Sequence, residues 1–287
     1  MKQKALSLAV LPLFASANAF TSPATHTDRD EPRARGVVVV TQSTVLQSGE
    51  TWTNIISVQG GDILMEFGDS GGRTGSMVYL AASHELILND DVERSYMRVD
   101  REFIDAFAAN ISGAMKQMEK ALAAMSEEQK KMMMEASGGR MPGMGDMSRR
   151  RGPEIRNTGE TTQRNGYSAT RYDVVSGDLL TQQLWIADWS SVEHGAELRD
   201  ALESLTALWA SFEETMGDAP FGGASKQMVL TLQHGLPIIT TQFDEDGTPI
   251  IETELQSVTE ADVDRSAFGP KEGYREQRVE MQRMPGQ

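Results

Sequence analysis

Apolar and polar positions alternate with a period of two through much of the first third of the chain. Val37 to Leu46 is β-branched and apolar. Trp52 to Val58 follows a Ser48-Gly49-Glu50 turn, and Ile63 to Phe67 follows Gly60-Gly61. Thr74 to Ala81, His84 to Leu88 and Ser95 to Val99 complete a run of short segments. Within it Met77, Tyr79 and Ala81 alternate with Val78 and Leu80, so one set faces each side of a sheet. Short strands joined by tight polar turns predict an antiparallel meander.

The period changes at Asp100. Phe103, Phe107, Ile111, Met115, Met118, Leu122 and Met125 are spaced by threes and fours, which places them on one helical stripe. Ser126-Glu127-Glu128-Gln129 predicts the cap of a second helix, and Gly138-Gly139 its end. The stretch that follows, to Pro153, is rich in Gly, Pro and Arg and reads as a loop. Strands resume near Ile155. Tyr167 to Val175 and Leu179 to Ala187 flank a Ser176-Gly177-Asp178 turn. Ser190 to Met216 is the strongest predicted helix, with Leu198, Leu202, Leu205, Trp209, Phe212 and Met216 on its buried stripe and Ser190 and Glu193 as its cap. The end reads as β: Lys226 to Gln233, Leu236 to Phe243 and Ile250 to Val258, with Asp246-Gly247 turning the chain.

The ends bear on location. Lys2 and Lys4 precede an apolar run from Ala5 to Phe14, and Ala17-Asn18-Ala19 matches a signal-peptidase site. The run is too short to span a bilayer, so residues 1–19 predict a cleavable signal and a periplasmic protein. Residues 20–36 predict a disordered leader, 37–269 a single domain with a helical insert at 101–153, and 270–287 a flexible tail. The 287-residue chain has no Cys, so neither disulfides nor a Cys lipid anchor is expected, and stability is expected to come from a core. A net charge of −15 disfavours nucleic acid as a partner.

Several segments in order recur elsewhere. Gly61-Asp62-Ile63-Leu64-Met65-Glu66, Val78-Tyr79-Leu80 and Tyr96-Met97-Arg98-Val99-Asp100 resemble the first half of an exported family, domain of unknown function 4412. Asn165-Gly166-Tyr167-Ser168-Ala169-Thr170-Arg171-Tyr172, Leu184-Trp185-Ile186-Ala187 and Ser266 to Tyr274 resemble its later parts. The resemblance spans Val37 to Tyr274 and is carried by diffuse strand signatures. That family is similar to the LolA-like periplasmic lipoprotein carriers. The resemblance implies an α+β fold: a strongly curved antiparallel β-sheet, an unclosed barrel, with helices covering the concave face. It also implies an apolar or acyl-bearing ligand held in that groove. Many members carry a Cys where this chain has Ala169, so no thiol role carries over.

Candidate chemistry is sparse. Gly68-Asp69-Ser70-Gly71-Gly72 copies the string around a chymotrypsin-like nucleophile, but it falls between two predicted strands and reads as a polar turn. The four His are scattered and Cys is absent, which disfavours zinc. Asp244-Glu245-Asp246-Gly247 lacks the later ligands of a calcium loop. No nucleophile, base and orienter assemble from these residues, so the expectation is a non-enzyme without a cofactor.

Methionine is the distinctive residue: nine of 17 lie between Met115 and Met147. Met115, Met118 and Met125 share the stripe with Phe103, Phe107, Ile111 and Leu122; such a stripe ordinarily packs on the sheet, and as a groove lid the same seven are the predicted ligand-binding residues. Met132 to Met134 span about 200° of a helix and cannot all face one core. Met141, Met144 and Met147 sit in the Gly/Pro loop, where thioethers could hold Cu(I). Arg140, Arg149, Arg150 and Arg151 crowd that loop and favour an anionic lipid or acidic partner surface over a cation. The leading expectation is a periplasmic carrier for a hydrophobic small molecule or lipid. The alternatives are a periplasmic Cu(I)-binding protein, or an envelope protein presenting Arg140 to Arg151 to another envelope protein or a membrane surface.

Overall fold

The structure is a computed structural model that describes residues 34–68, 74–107, 109–110, 113, 117, 125–126, 153–216 and 224–277. Six strands come first: β1 (Ala34–Val45), β2 (Thr51–Gln59), β3 (Asp62–Gly68), β4 (Thr74–Leu80), β5 (Glu85–Asp90) and β6 (Ser95–Val99). A helix, α1, begins over residues 101–107, capped by Asp100, whose carboxylate accepts from the backbone N–H of Phe103 at 2.8 Å. Three further strands follow: β7 (Glu154–Arg164), β8 (Tyr167–Ser176) and β9 (Leu179–Ala187). A 3-10 turn (Trp189–Ser191) then leads into α2 (Gly195–Met216) and α3 (Ala224–His234). The chain closes with β10 (Leu236–Phe243), β11 (Pro249–Val263) and β12 (Arg275–Glu276).

Among the described residues twelve strands form one sheet in the order β12-β6-β5-β4-β3-β2-β1-β11-β10-β9-β8-β7. Every pairing is antiparallel except that of β12 with β6. β7 and β12 are the two edges, so the sheet is not closed by pairing. The expected unclosed antiparallel sheet with helices on it is therefore present. Two-residue turns set its register. Gly60 and Gly61 both have positive φ, the requirement of the hairpin turn whose twist matches the flanking strands. Register shifts at Val40/Thr41, Pro237/Ile239, Gln242/Phe243 and Val174/Val175 insert bulges, which bend and twist strands.

Two apolar clusters lie on opposite sides of β1–β6. The main core combines Val37, Val39, Ile56, Val58, Ile63 and Tyr79 with Ile104 of α1 and with Leu198, Ala201, Leu202, Leu205 and Leu208 of α2. Trp209 packs against it partly buried, as the predicted stripe requires. The side chains of Phe212 and Met216 lie outside the described residues. The reverse face carries Leu64, Val78 and Ile87, covered by Val263 and Phe268.

Three expectations need correction. Lys226 to Gln233, read as a strand, belongs to α3. Met228 and Leu232, four residues apart, meet the core there, and helical and alternating patterns coincide in so short a run. Gly235 ends that helix with φ +140, and a Cβ on it would lie 2.0 Å from the carbonyl oxygen of Ala187. The expected Ser190/Glu193 cap does not form; the Asp188 side chain accepts from Ser190 N at 2.8 Å, and α2 starts at Gly195. The leader expected over 20–36 gives up Ala34 to Gly36, which start β1.

The tail expected to be loose from Pro270 is instead a strap as far as Gln277. Asn89 donates to Gly269 O (3.2 Å) and accepts from Lys271 N (3.2 Å). Asp91 accepts from Lys271 Nζ and from the Tyr274 hydroxyl, both at 2.7 Å. Gln277 donates to Tyr96 O (2.7 Å) and to Ser95 Oγ (2.7 Å). Burial, with the bond to Asp91 second, pushes the Tyr274 phenol up to about 12.

Candidate functional site

The helix-facing side of the sheet can be read as rows of paired residues running across the strands. One row is Val37, Val58, Ile63, Tyr79, Leu86 and Val99. The next is Val39, Ile56, Met65, Met77, Leu88 and Met97. Both rows are apolar apart from the Tyr79 hydroxyl, and α2 and the start of α1 pack on them. Three methionines outside the insert thus lie on this face.

Polarity rises toward the other end of the same strands. Leu255, Thr41 and Asn54 are paired in the third row. Leu184, Thr240, Thr253, Ser43 and Trp52 make the fourth. Thr41, Ser43, Asn54, Thr240 and Thr253 are all buried. Four of them are linked: Asn54 Nδ2 donates to Thr41 Oγ1 (3.2 Å) and Ser43 Oγ (3.1 Å), and Ser43 Oγ lies 2.8 Å from Thr253 Oγ1. No charged side chain takes part in this seam among the described residues. Trp52 shares the face and is 4% exposed, and its buried indole Nε1 has no hydrogen-bond partner among the described residues.

Between α2 and the sheet lies a small cavity, about 20 Å³, lined by Val39, Thr41, Ile56, Leu198, Leu202 and Leu255 together with Leu236 and Pro237. Such a space holds about one water molecule, far below the roughly 300 Å³ at which small-molecule sites begin. Leu198 and Leu202 line it from α2 and are themselves buried. A polar latch holds α2 down over the first row. The Tyr79 hydroxyl donates to Ser204 O (3.2 Å) and lies 2.7 Å from Ser204 Oγ and 3.1 Å from His84 Nδ1.

Of the seven predicted ligand-binding residues, Phe103 is partly buried against the main core. Its ring stacks on Phe107, with centroids 5.9 Å apart and planes 10° apart. Met125 is half-buried. Ile111, Met115, Met118 and Leu122 have side chains outside the described residues, as do Met132 to Met134, the loop methionines Met141, Met144 and Met147, and Arg140 to Arg151. Among the described residues no group of three or more His, Asp or Glu could hold a metal ion. Also among these residues, no helix is long and apolar enough to cross a membrane. Asp244 to Gly247 is a turn, in which Asp244 accepts from Asp246 N (3.0 Å) and Thr248 N (2.8 Å).

Sequence reasoning missed the polar seam, the row of Met65, Met77 and Met97, and the Tyr79 latch. The alternation through Met77 and Tyr79 signalled their shared face. Nothing local signalled that Thr41, Asn54 and Thr253 meet.

No family model matches the chain, and no curated protein does. The resemblance to domain of unknown function 4412 thus has no support from a family model. Among solved structures the chain is similar to an uncharacterized conserved protein from Thermus thermophilus, at 8% identity over 85% of this chain and 91% of that one, with a TM-score of 0.40. It is similar to a chain of the Pseudomonas aeruginosa MucA/MucB complex, at 9% identity over 83% of this chain and 56% of that one, with a TM-score of 0.27. A domain described as an outer membrane lipoprotein-sorting protein domain, from Vibrio parahaemolyticus, shares 8% identity over 83% of this chain and 91% of its own, with a TM-score of 0.21. These scores are too low for the likenesses to carry an argument about function.

Proposed function

We propose that the protein is a periplasmic, non-enzymatic carrier that binds a hydrophobic, acyl-bearing ligand between the sheet and its helices. The supporting observation is the face beneath α2: apolar rows with three pliant methionines, and a small cavity wedged between helix and sheet. The cavity is too small for an acyl chain, so in this reading α2 swings outward and the ligand takes the place of Leu198 and Leu202 against the sheet. The Tyr79–Ser204 latch sets the cost of that opening. Burial of the chain supplies the driving force, at about 0.8 kcal/mol per CH₂.

The test is titration of the purified protein with an environment-sensitive fluorescent acyl probe. Saturable one-to-one binding, competed by unlabelled fatty acyl compounds, is expected. A folded protein that leaves the probe dark at all concentrations would sink the reading.

A further inference from the structure

We infer that the buried polar seam at the end of the α2 cavity is the recognition site for a neutral carbonyl, the ester or amide that joins an acyl chain to its head group. Trp52 Nε1 is its donor. The inference rests on the carrier reading and adds to it a polar subsite and a ligand class.

Trp52 is 4% exposed, and among the described residues its Nε1 has no partner. Leaving a buried donor unpaired is unfavourable, and a bound acceptor would recover that cost. Its neighbours are already satisfied by one another, since Asn54 donates to Thr41 and Ser43, and Ser43 bonds Thr253. The indole N–H is therefore a buried donor of this face that is free to read a ligand. It is a donor only, so the ligand must present an acceptor.

Position and charge narrow the ligand further. Thr41 belongs to both the cavity lining and the seam. Ser43, paired with Trp52, is two residues further along β1, about 6.8 Å away at the rise of an antiparallel strand. An acyl chain laid under α2 from the Met65–Met77 row would bring its carbonyl end to Trp52. Among the described residues of the seam none is charged, so a free carboxylate would be buried without a counter-ion, at high cost. A neutral ester or amide avoids that cost.

The test compares a monoacylglycerol, the monoalkylglycerol ether of equal chain length, and an N-acyl amide, each displacing the fluorescent acyl probe. The ether lacks the carbonyl. The wild type should bind ester and amide about tenfold tighter than the ether, a difference of about 1.4 kcal/mol. Trp52→Phe should abolish the preference while still binding the ether. Preference for only one carbonyl compound would identify the linkage. In protein labelled with ¹⁵N-tryptophan, the ester should shift the Trp52 indole signal downfield and the ether should not. That signal is assigned by eliminating those of Trp185, Trp189 and Trp209 through Phe variants, so the test survives if Trp52→Phe fails to fold. Equal binding of ester and ether with an unmoved Trp52 signal overturns the inference and leaves the carrier reading standing. No binding of any of the three overturns both.

Discussion

Ser43→Ala probes the seam most quantitatively. Ser43 is fully buried, and its Oγ is bonded to Thr253 Oγ1 (2.8 Å) and Asn54 Nδ2 (3.1 Å). Removing it strands the Thr253 hydroxyl, while Asn54 keeps Thr41 at 3.2 Å. One buried hydroxyl left without this partner costs about 1–3 kcal/mol. Thr253→Val, nearly the same shape, strands Ser43 less completely, because Asn54 still donates to it. In the double variant Ser43→Ala/Thr253→Val neither hydroxyl remains to be unsatisfied. Its cost should fall below the sum of the two single costs by about 0.5–3 kcal/mol. Urea unfolding measures each term. At an m value of about 3 kcal/mol per molar, a 2 kcal/mol loss lowers the midpoint by roughly 0.7 M. Strictly additive single costs at constant m would show that these hydroxyls do not depend on each other, and would refute the seam as a connected network.

Tyr79→Phe removes the latch to Ser204. It should cost about 1–3 kcal/mol of stability in urea, yet speed uptake of the acyl probe in stopped-flow mixing; slower uptake would speak against α2 as the moving part. Leu205→Ala opens a void under α2 at a fully buried position. A loss of about 2.7–5 kcal/mol is expected in urea or thermal melts, and a loss below about 1 kcal/mol would mean that the helix does not pack as described. The strap has a pH signature. Because the Tyr274 phenol is raised to about 12, the folded protein keeps a proton that the unfolded chain releases near pH 10. Its contribution is fully present below about pH 10 and is lost as pH rises through about 12. The stability gap between wild type and Tyr274→Phe should therefore hold to about pH 10 and close above it; a gap that widened there would contradict the Tyr274–Asp91 bond.

The strands of the meander were legible because period two and Gly-rich turns coincide from Val37 to Val99. The same local logic misread Lys226 to Gln233. Met228, Leu230 and Leu232 alternate, and only packing of Met228 and Leu232 on the core distinguishes helix from strand. The strap from Pro270 looked loose because its residues are charged and polar. Its order comes from Asn89 and Asp91, about 180 positions earlier in the chain, which no local pattern connects to it. The seam was hidden for a related reason. Thr41, Ser43 and Thr253 resemble the solvent-facing half of ordinary strands, and it is the cross-strand register that turns them inward together. Leu198, Leu202 and Leu205 were readable from spacing alone, since a helix that buries one stripe shows it in its sequence.

Native mass spectrometry of the protein, purified without detergent and then incubated with a monoacylglycerol, is the sharpest check on the carrier reading. One added mass of a single acyl-bearing molecule per chain is expected, retained in the gas phase and weakened in Trp52→Phe. A bare protein mass at every lipid concentration, from a sample with a native β-rich circular dichroism spectrum, would rule that reading out.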